Sequence, residues 1–312
     1  MSLTGRSPGR ERLVALMVTG VMAVATSTQA GGLQTAPSPP SVSSDRPLLV
    51  GPVTRAELKA APFSEWFESE YAAYQPSEAG LESLRGHLEG ISIEAYFGTW
   101  CGDSRRQIPH LVRLLDLAGF DERRLSLIAL SDRAKEFKQA PGNPEARRRV
   151  HRTPTIVLLR EGKEVGRIVE TPFASLETDL LAILVGHGAE PRYGAEAFVH
   201  RLFAELTPAE AEKALRSAGP EILKRSDPDS LTHYAEQDLL RNGRASEAKS
   251  LLDLHLQLNP RSVLGHILMS DALMALGRKA EAIEAIDRAL AIEPGNNRAL
   301  RTAAKLRSPK AQ

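Results

Sequence analysis

Cysteine is all but missing from this chain: Cys101 is the one example among 312 residues. No disulfide can therefore close within the molecule, and no cysteine-rich metal cage can assemble. The histidines are scattered without zinc-ligand spacing, so neither a metal nor a cofactor is expected. An excess of charge is missing as well, with 40 basic against 39 acidic side chains and a formal net charge of +1. That balance leaves no electrostatic footprint for nucleic acid, an anionic membrane or a strongly acidic substrate. Beyond Ala30, no apolar run approaches the roughly 18 residues that a membrane-spanning helix requires.

What is present begins with a targeting signal. Arg6, Arg10 and Arg12 precede a largely apolar stretch from Leu13 to Ala25, and small residues follow through Ala30. An uncleaved anchor fits poorly, because residues 13–25 span roughly 20 Å of helix against a hydrocarbon core of about 30 Å. Residues 1–30 are read as a secretory signal peptide, cut after Ala25 or after Ala30. The expected product is periplasmic or secreted, with no stable membrane insertion. Residues 31–53, rich in Pro, Ser and Gly, read as a flexible linker. In a secreted protein a lone cysteine is either an inert buried side chain or a free reactive thiol. Its neighbours must decide between them.

The remaining length exceeds what one hydrophobic core usually serves, and 42% hydrophobic with 25% charged residues is an ordinary globular composition. Two folded regions are expected. In residues 54–190, Arg55 to Leu88 reads as helical pieces broken near Gln75, Pro76 and Gly80, with Phe63, Trp66, Phe67 and Tyr71 on one face. Ile91 to Phe97 is a short apolar run between glycines, as a buried strand would be. Helical spacing follows from Ser104 to Leu117, then a strand from Leu125 to Leu130 and a polar stretch with Pro141-Gly142-Asn143-Pro144 as a loop signal. Thr155 to Leu159 and Glu164 to Val169 read as a hairpin, and Ser175 to Val185 as a closing helix capped by Ser175 and stopped at Gly186. This order is that of an α/β domain.

Strand-like runs vanish in residues 195–312, and the sequence repeats itself. Gly243, Ala248 and Pro260 recur as Gly277, Ala282 and Pro294, an interval of about 34 residues, the period of a tetratricopeptide helix pair. Glycine would serve the turn between helices, alanine their close contact, and proline the end of the second helix. Two units are expected at about 229–262 and 263–296, with Ala195 to Lys224 as a degenerate pair at one end and Asn297 to Leu306 as a cap. His266 and Leu273 depart from the aromatic positions of the consensus. The second region is thus read as an all-α helical-repeat, tetratricopeptide-like domain, with a peptide or protein as its possible partner.

Trp100-Cys101-Gly102-Asp103-Ser104 follows the Ile91 to Phe97 strand and opens the next helix. A helix N-terminus favours a thiolate, with Arg105 and Arg106 adding to the effect and Asp103 opposing it. The run from Tyr96 to Ser104 resembles the thioredoxin superfamily, where a strand leads into a Trp-Cys-x-x-Cys redox turn. Pro109 in the following helix, Thr153-Pro154-Thr155 as the cis-proline segment, the hairpin and the final helix are similar to that family too, over about residues 55–188. The Gly-Thr-Trp-Cys-Gly-Asp-Ser version resembles a bacterial subgroup with serine in place of the second cysteine. The resemblance implies a thioredoxin-like fold, with Cys101 as nucleophile and Ser104 and the helix end stabilising its thiolate. It also implies a substrate site formed by Trp100, Gly102, Asp103, Thr153 and Pro154.

Two departures bear on mechanism. Ser104 removes the internal resolving thiol, and Ala95 stands where the family keeps a buried acid that serves it. The expectation is therefore monothiol exchange with protein thiols and disulfides or with a small thiol. The alternative is a non-catalytic adaptor that binds partners through the thioredoxin-like groove and the repeats. His110 or His151 as the base of a cysteine protease lacks any local signature. Gly98 stands where related peroxidases carry threonine.

Overall fold

The computed structural model describes residues 47–188, 192–224 and 228–308. The expected signal peptide and most of the expected linker lie outside the described residues. The linker is also shorter than the sequence suggests, because Gly51–Val53 forms strand β1 and pairs antiparallel with a later strand. Proline is tolerated there because β1 lies at the edge of the sheet.

Helices α1 (Arg55–Leu58), α2 (Ser64–Ala73) and α3 (Glu78–Arg85) come next, then β2 (Ile91–Phe97) and α4 (Gly102–Ala118). They are followed by β3 (Leu125–Ala129), the single turn α5 (Pro144–Arg147), the hairpin β4 (Thr155–Arg160) and β5 (Lys163–Val169), and α6 (Leu176–Leu184). The five strands form one mixed sheet in the order β1-β3-β2-β4-β5, with β2 parallel to β3 and antiparallel to β4. Alternation along β2 explains its central place. Ile91, Ile93, Ala95 and Phe97 are buried in one core with Phe67 of α2, Ile108 and Leu111 of α4, and Leu180 of α6. On the opposite face Tyr96 packs with Ile128, Val157 and Leu159 against Ala140 and Val150 of the 131–151 segment.

The helical pieces break at residues 74–77 as expected, but Gly80 lies inside α3. A Cβ on Gly80 would come within 2.6 Å of the Glu177 side chain, so this glycine permits a close approach of α3 to α6. Ser175 caps α6 by accepting from the Thr178 amide. The hairpin turns through Glu161 and Gly162, both with positive φ, the backbone of a two-residue turn matched to strand twist.

The rest of the described chain is helical: α7 (Gly194–Glu205), α8 (Pro208–Leu223), α9 (Pro228–Tyr234), α10 (Ala245–Leu258), α11 (Val263–Ala275), α12 (Lys279–Ile292) and α13 (Asn297–Arg307). Gly243 and Gly277 occupy the turns before α10 and α12 with φ of 73° and 77°, a conformation that costs glycine little. Ala248 and Ala282 are fully buried where helices meet, and one apolar core runs from Val199 of α7 to Leu306 of α13. A π-helical stretch, Ala235–Leu240, extends α9 and contains Asp238.

The α/β sheet and the helices are joined by buried charge. Arg152 donates from Nε and Nη2 to both oxygens of Glu196 at 2.7 and 2.5 Å, and from Nη1 to Glu170 at 2.9 Å. Glu196 is wholly buried and also accepts from Ser230 Oγ at 2.5 Å. Lys138 Nζ donates to both oxygens of Asp238 at 3.0 Å and to the His151 carbonyl at 2.8 Å. Asn242 adds backbone recognition, accepting from the Phe137 amide and donating to its carbonyl.

Glu196→Ala leaves Arg152 with only half its carboxylate partners in a dry setting. It should lower the unfolding free energy in urea by about 3–5 kcal/mol. The paired change Arg152→Met with Glu196→Leu should recover part of that loss, since neither charge is then stranded.

The same junction predicts acid sensitivity. Burial holds the pKa of His200 down to about 4, and pushes His151 well below the usual histidine range. A depressed folded-state value gives stability that is present above the unfolded value of about 6.5 and is lost as pH falls toward 4. Asp238 runs the other way: burial pushes it up to about 6, so its protonation offsets part of the loss. The two histidines outweigh the one carboxylate. Stability should fall between about pH 6.5 and 4, and His200→Gln should shrink the difference between about pH 7 and 4.5 by about 2–3 kcal/mol.

Candidate functional site

Cys101 sits between β2 and α4, where an extended residue must give way to helix. It is the N-cap of α4, with φ −88° and ψ 126°, and its side chain is partly exposed. Its amide donates to the Gly98 carbonyl at 3.0 Å and its own carbonyl accepts from the Arg105 amide at 3.0 Å, so both flanks of the turn are tied down. The sulfur donates to the Thr153 carbonyl at 3.3 Å. Thr153 and Pro154 are buried and joined by a cis peptide bond, just before β4. Residues distant in sequence therefore meet at one point: the end of β2, the start of α4 and the entry to β4.

The other expected site residues divide. Ser104 is fully buried and its hydroxyl oxygen accepts from the Gly98 amide at 3.1 Å, so this side chain holds the preceding loop against the helix. Gly102 is exposed beside the thiol at the first position of α4. Asp103 pairs with Arg106 at 2.9 Å, which sets the one acidic group of the turn against a local cation. Arg105 turns inward and donates from Nε to the Thr99 carbonyl at 2.7 Å. Trp100 donates from its indole nitrogen to the Leu130 carbonyl at 2.9 Å and lies against Phe137, ring centroids 5.0 Å apart. A Cβ on Gly98 would come within 2.5 Å of that indole, so only glycine leaves room for Trp100.

Neither histidine weighed as a base hydrogen-bonds to Cys101 among the described residues. His110 stacks on Tyr74 and lies 2.9 Å from a Glu70 oxygen. His151 is buried beside His200, ring centroids 5.7 Å apart.

Sequence reasoning missed the support behind the thiol. Phe137, which lies against Trp100, is also covered by the Arg241 guanidinium, 3.8 Å from the ring centroid. Arg241 also donates to the Asp132 carbonyl at 2.9 Å, and its own carbonyl accepts from the Lys135 amide. The stack Arg241, Phe137, Trp100 thus runs from the turn before α10 to the residue next to Cys101. Only the aromatic and basic residues inside a polar stretch could have hinted at it.

A second concavity, about 680 Å³, lies along α10, α11 and α12 and is lined by Leu256, His266, Met269, Leu273, Glu281 and Arg288. Its lining mixes apolar and charged side chains. Among the described residues no helix is long and apolar enough to cross a membrane.

Comparison with known families matches a tetratricopeptide repeat over residues 239–306. That span takes in the Gly243 turn, both helices of the second repeat and α13. Neither the curated proteins nor the solved structures offer a match. The chain therefore combines an α/β domain built on a five-stranded mixed sheet with a helical region whose residues 239–306 match the tetratricopeptide repeat, a repeat that commonly mediates protein–protein contact.

Ser104→Ala would leave the buried Gly98 amide without its acceptor. It should cost about 1–3 kcal/mol in urea unfolding, whereas Asp103→Ala on the surface should stay within about 0.5 kcal/mol. Equal effects from the two variants would show that Ser104 does not hold the loop.

Proposed function

We propose that the α/β domain is thioredoxin-like and that the chain is a monothiol exchange protein of the periplasm or extracellular space. The observation that carries this is Cys101: a partly exposed thiol at a helix N-terminus, with its sulfur 3.3 Å from the carbonyl that precedes a cis proline. In this reading the Cys101 thiolate attacks one sulfur of a disulfide. A new S–S bond forms, the old one breaks, and the departing sulfur leaves with the electron pair as a thiolate. A second thiolate, from a small thiol or from another cysteine of the partner, then attacks the mixed disulfide and frees Cys101. Gly102 and Asp103 would face the bound partner, with Trp100 and the buried Thr153-Pro154 turn behind the thiol.

Ser104 gives this mechanism its character. With no sulfur at that position, the mixed disulfide has no internal route of release. An adaptor reading, in which partners are held without turnover, is favoured by the same fact and by the tetratricopeptide repeats. In either reading the repeats would supply a peptide or protein contact and the thiol end a covalent or groove contact.

Incubated with oxidised glutathione and worked up without reductant, the chain should carry one glutathione on Cys101 by mass spectrometry. Ser104→Cys under the same oxidant should instead form an internal disulfide with Cys101, since both residues lie within the first turn of α4. A wild-type chain that takes up no glutathione would remove thiol exchange and leave the adaptor. A variant that takes up glutathione but forms no internal bond would show that this turn lacks redox geometry.

A further inference from the structure

A cavity of about 330 Å³ opens where residues 149–151 and β5 meet the first turns of α7. Its lining is unusual in charge. Arg149, Arg167 and Arg201 face it together with His151, and among the described residues no carboxylate lines it. The three cations are not equivalent. Arg167 spends its donors on Glu164 and on the Arg148 and Arg149 carbonyls, so it contributes charge and fixes the segment. Arg149 holds Glu205 through Nη1 at 2.7 Å and keeps its other donors. Arg201 is exposed and makes no ion pair among the described residues; its guanidinium lies 5.8 Å from the Phe198 ring centroid.

His151 is a separate observation. It is only 2% exposed, and neither ring nitrogen has a well-formed hydrogen bond among the described residues. The Arg149 carbonyl lies close to the ring in poorer geometry. Buried polar groups of native proteins are almost always partnered, so an orphaned imidazole in the wall of a cationic cavity marks a place for an acceptor. The end of α7 points the same way: Tyr193 gives it no side-chain cap, and helix N-termini favour anions. Charged neighbours also resist protonation nearby, with Lys138 and Arg152 acting on His151, and Arg244, Lys138, Arg167 and Arg149 on His200. The local field is positive.

We propose that this cavity binds the phosphate group of a small phosphate monoester, between Arg201, the free donors of Arg149 and the first turn of α7, with His151 donating a hydrogen bond. Phe198 and Val169 form the apolar wall for the organic part, which the volume accommodates beyond the phosphate itself. The site uses neither Cys101 nor the repeat groove, so it stands or falls apart from thiol exchange.

Phenyl phosphate is a suitable probe, titrated into the full chain at constant ionic strength. Histidine-selective NMR should show a saturable shift of the His151 ring nitrogens, while His266, which bonds to the Pro260 carbonyl, stays put. Arg201→Gln should weaken the titration at least tenfold, and Arg201→Lys should recover part of it. Because Arg201 is exposed and makes no ion pair among the described residues, Arg201→Gln should melt like wild type without the probe. No saturable His151 shift, or equal titrations for wild type and Arg201→Gln, would overturn the proposal.

Discussion

The bidentate pair between Arg152 and Glu196 is the contact on which the rest of the arrangement depends. Burying two charges costs several kcal/mol each unless geometry and further hydrogen bonds compensate. Here both carboxylate oxygens are occupied, Ser230 supplies an added donor, and Glu170 takes the remaining guanidinium edge. Once that condition is met, the 149–154 segment has one position relative to α7. Lys138 and Asp238 fix the 131–140 segment in the same manner. The two segments together cover the face of the sheet that lacks long helices.

Those segments also form the back of the thiol site. Thr153, which meets the Cys101 sulfur, follows Arg152 directly, and Phe137, which backs Trp100, precedes Lys138 directly. These two residues at the thiol site are therefore each adjacent in sequence to a residue that anchors the helices. A shift at Arg152 reaches the thiol's acceptor through one peptide link, and a shift at Lys138 reaches the thiol through Phe137 and its ring contact with Trp100. The helical region thus serves the thiol as structure, whatever it binds.

Much of this was legible in the sequence, and the reasons are local. The β2 run, the α4 stripe, the hairpin and the Gly243 and Gly277 turns each carry their own periodicity or turn chemistry, so their places needed no tertiary information. The position of Cys101 at the end of β2 followed from the same signals, whereas its meeting with Thr153 followed only from the family resemblance. Gly80 was misjudged as a helix breaker because its function is proximity to Glu177, about 100 residues away in sequence. β1 was hidden because a three-residue edge strand containing proline looks like the linker before it. Lys138 and Asp238 were illegible for a deeper cause: two isolated charges read as solvated until a fold shows them facing each other in a buried place.

The Arg241, Phe137 and Trp100 stack has a consequence for the order in which the molecule is completed. Cys101 and Trp100 are synthesised long before Arg241, and a chain threaded N-terminus first would deliver them first as well. Until residues 196–242 arrive, Arg152 and Lys138 have no carboxylates from the helices, and Phe137 has no cover. The thiol is then present without its backing, on a sheet whose second face is open. The backing closes late, through contacts more than 100 residues apart in sequence, which are the slow kind to form. A newly made chain thus passes through an interval in which its only thiol is accessible and its apolar face uncovered, a state that escorts of nascent proteins are suited to guard.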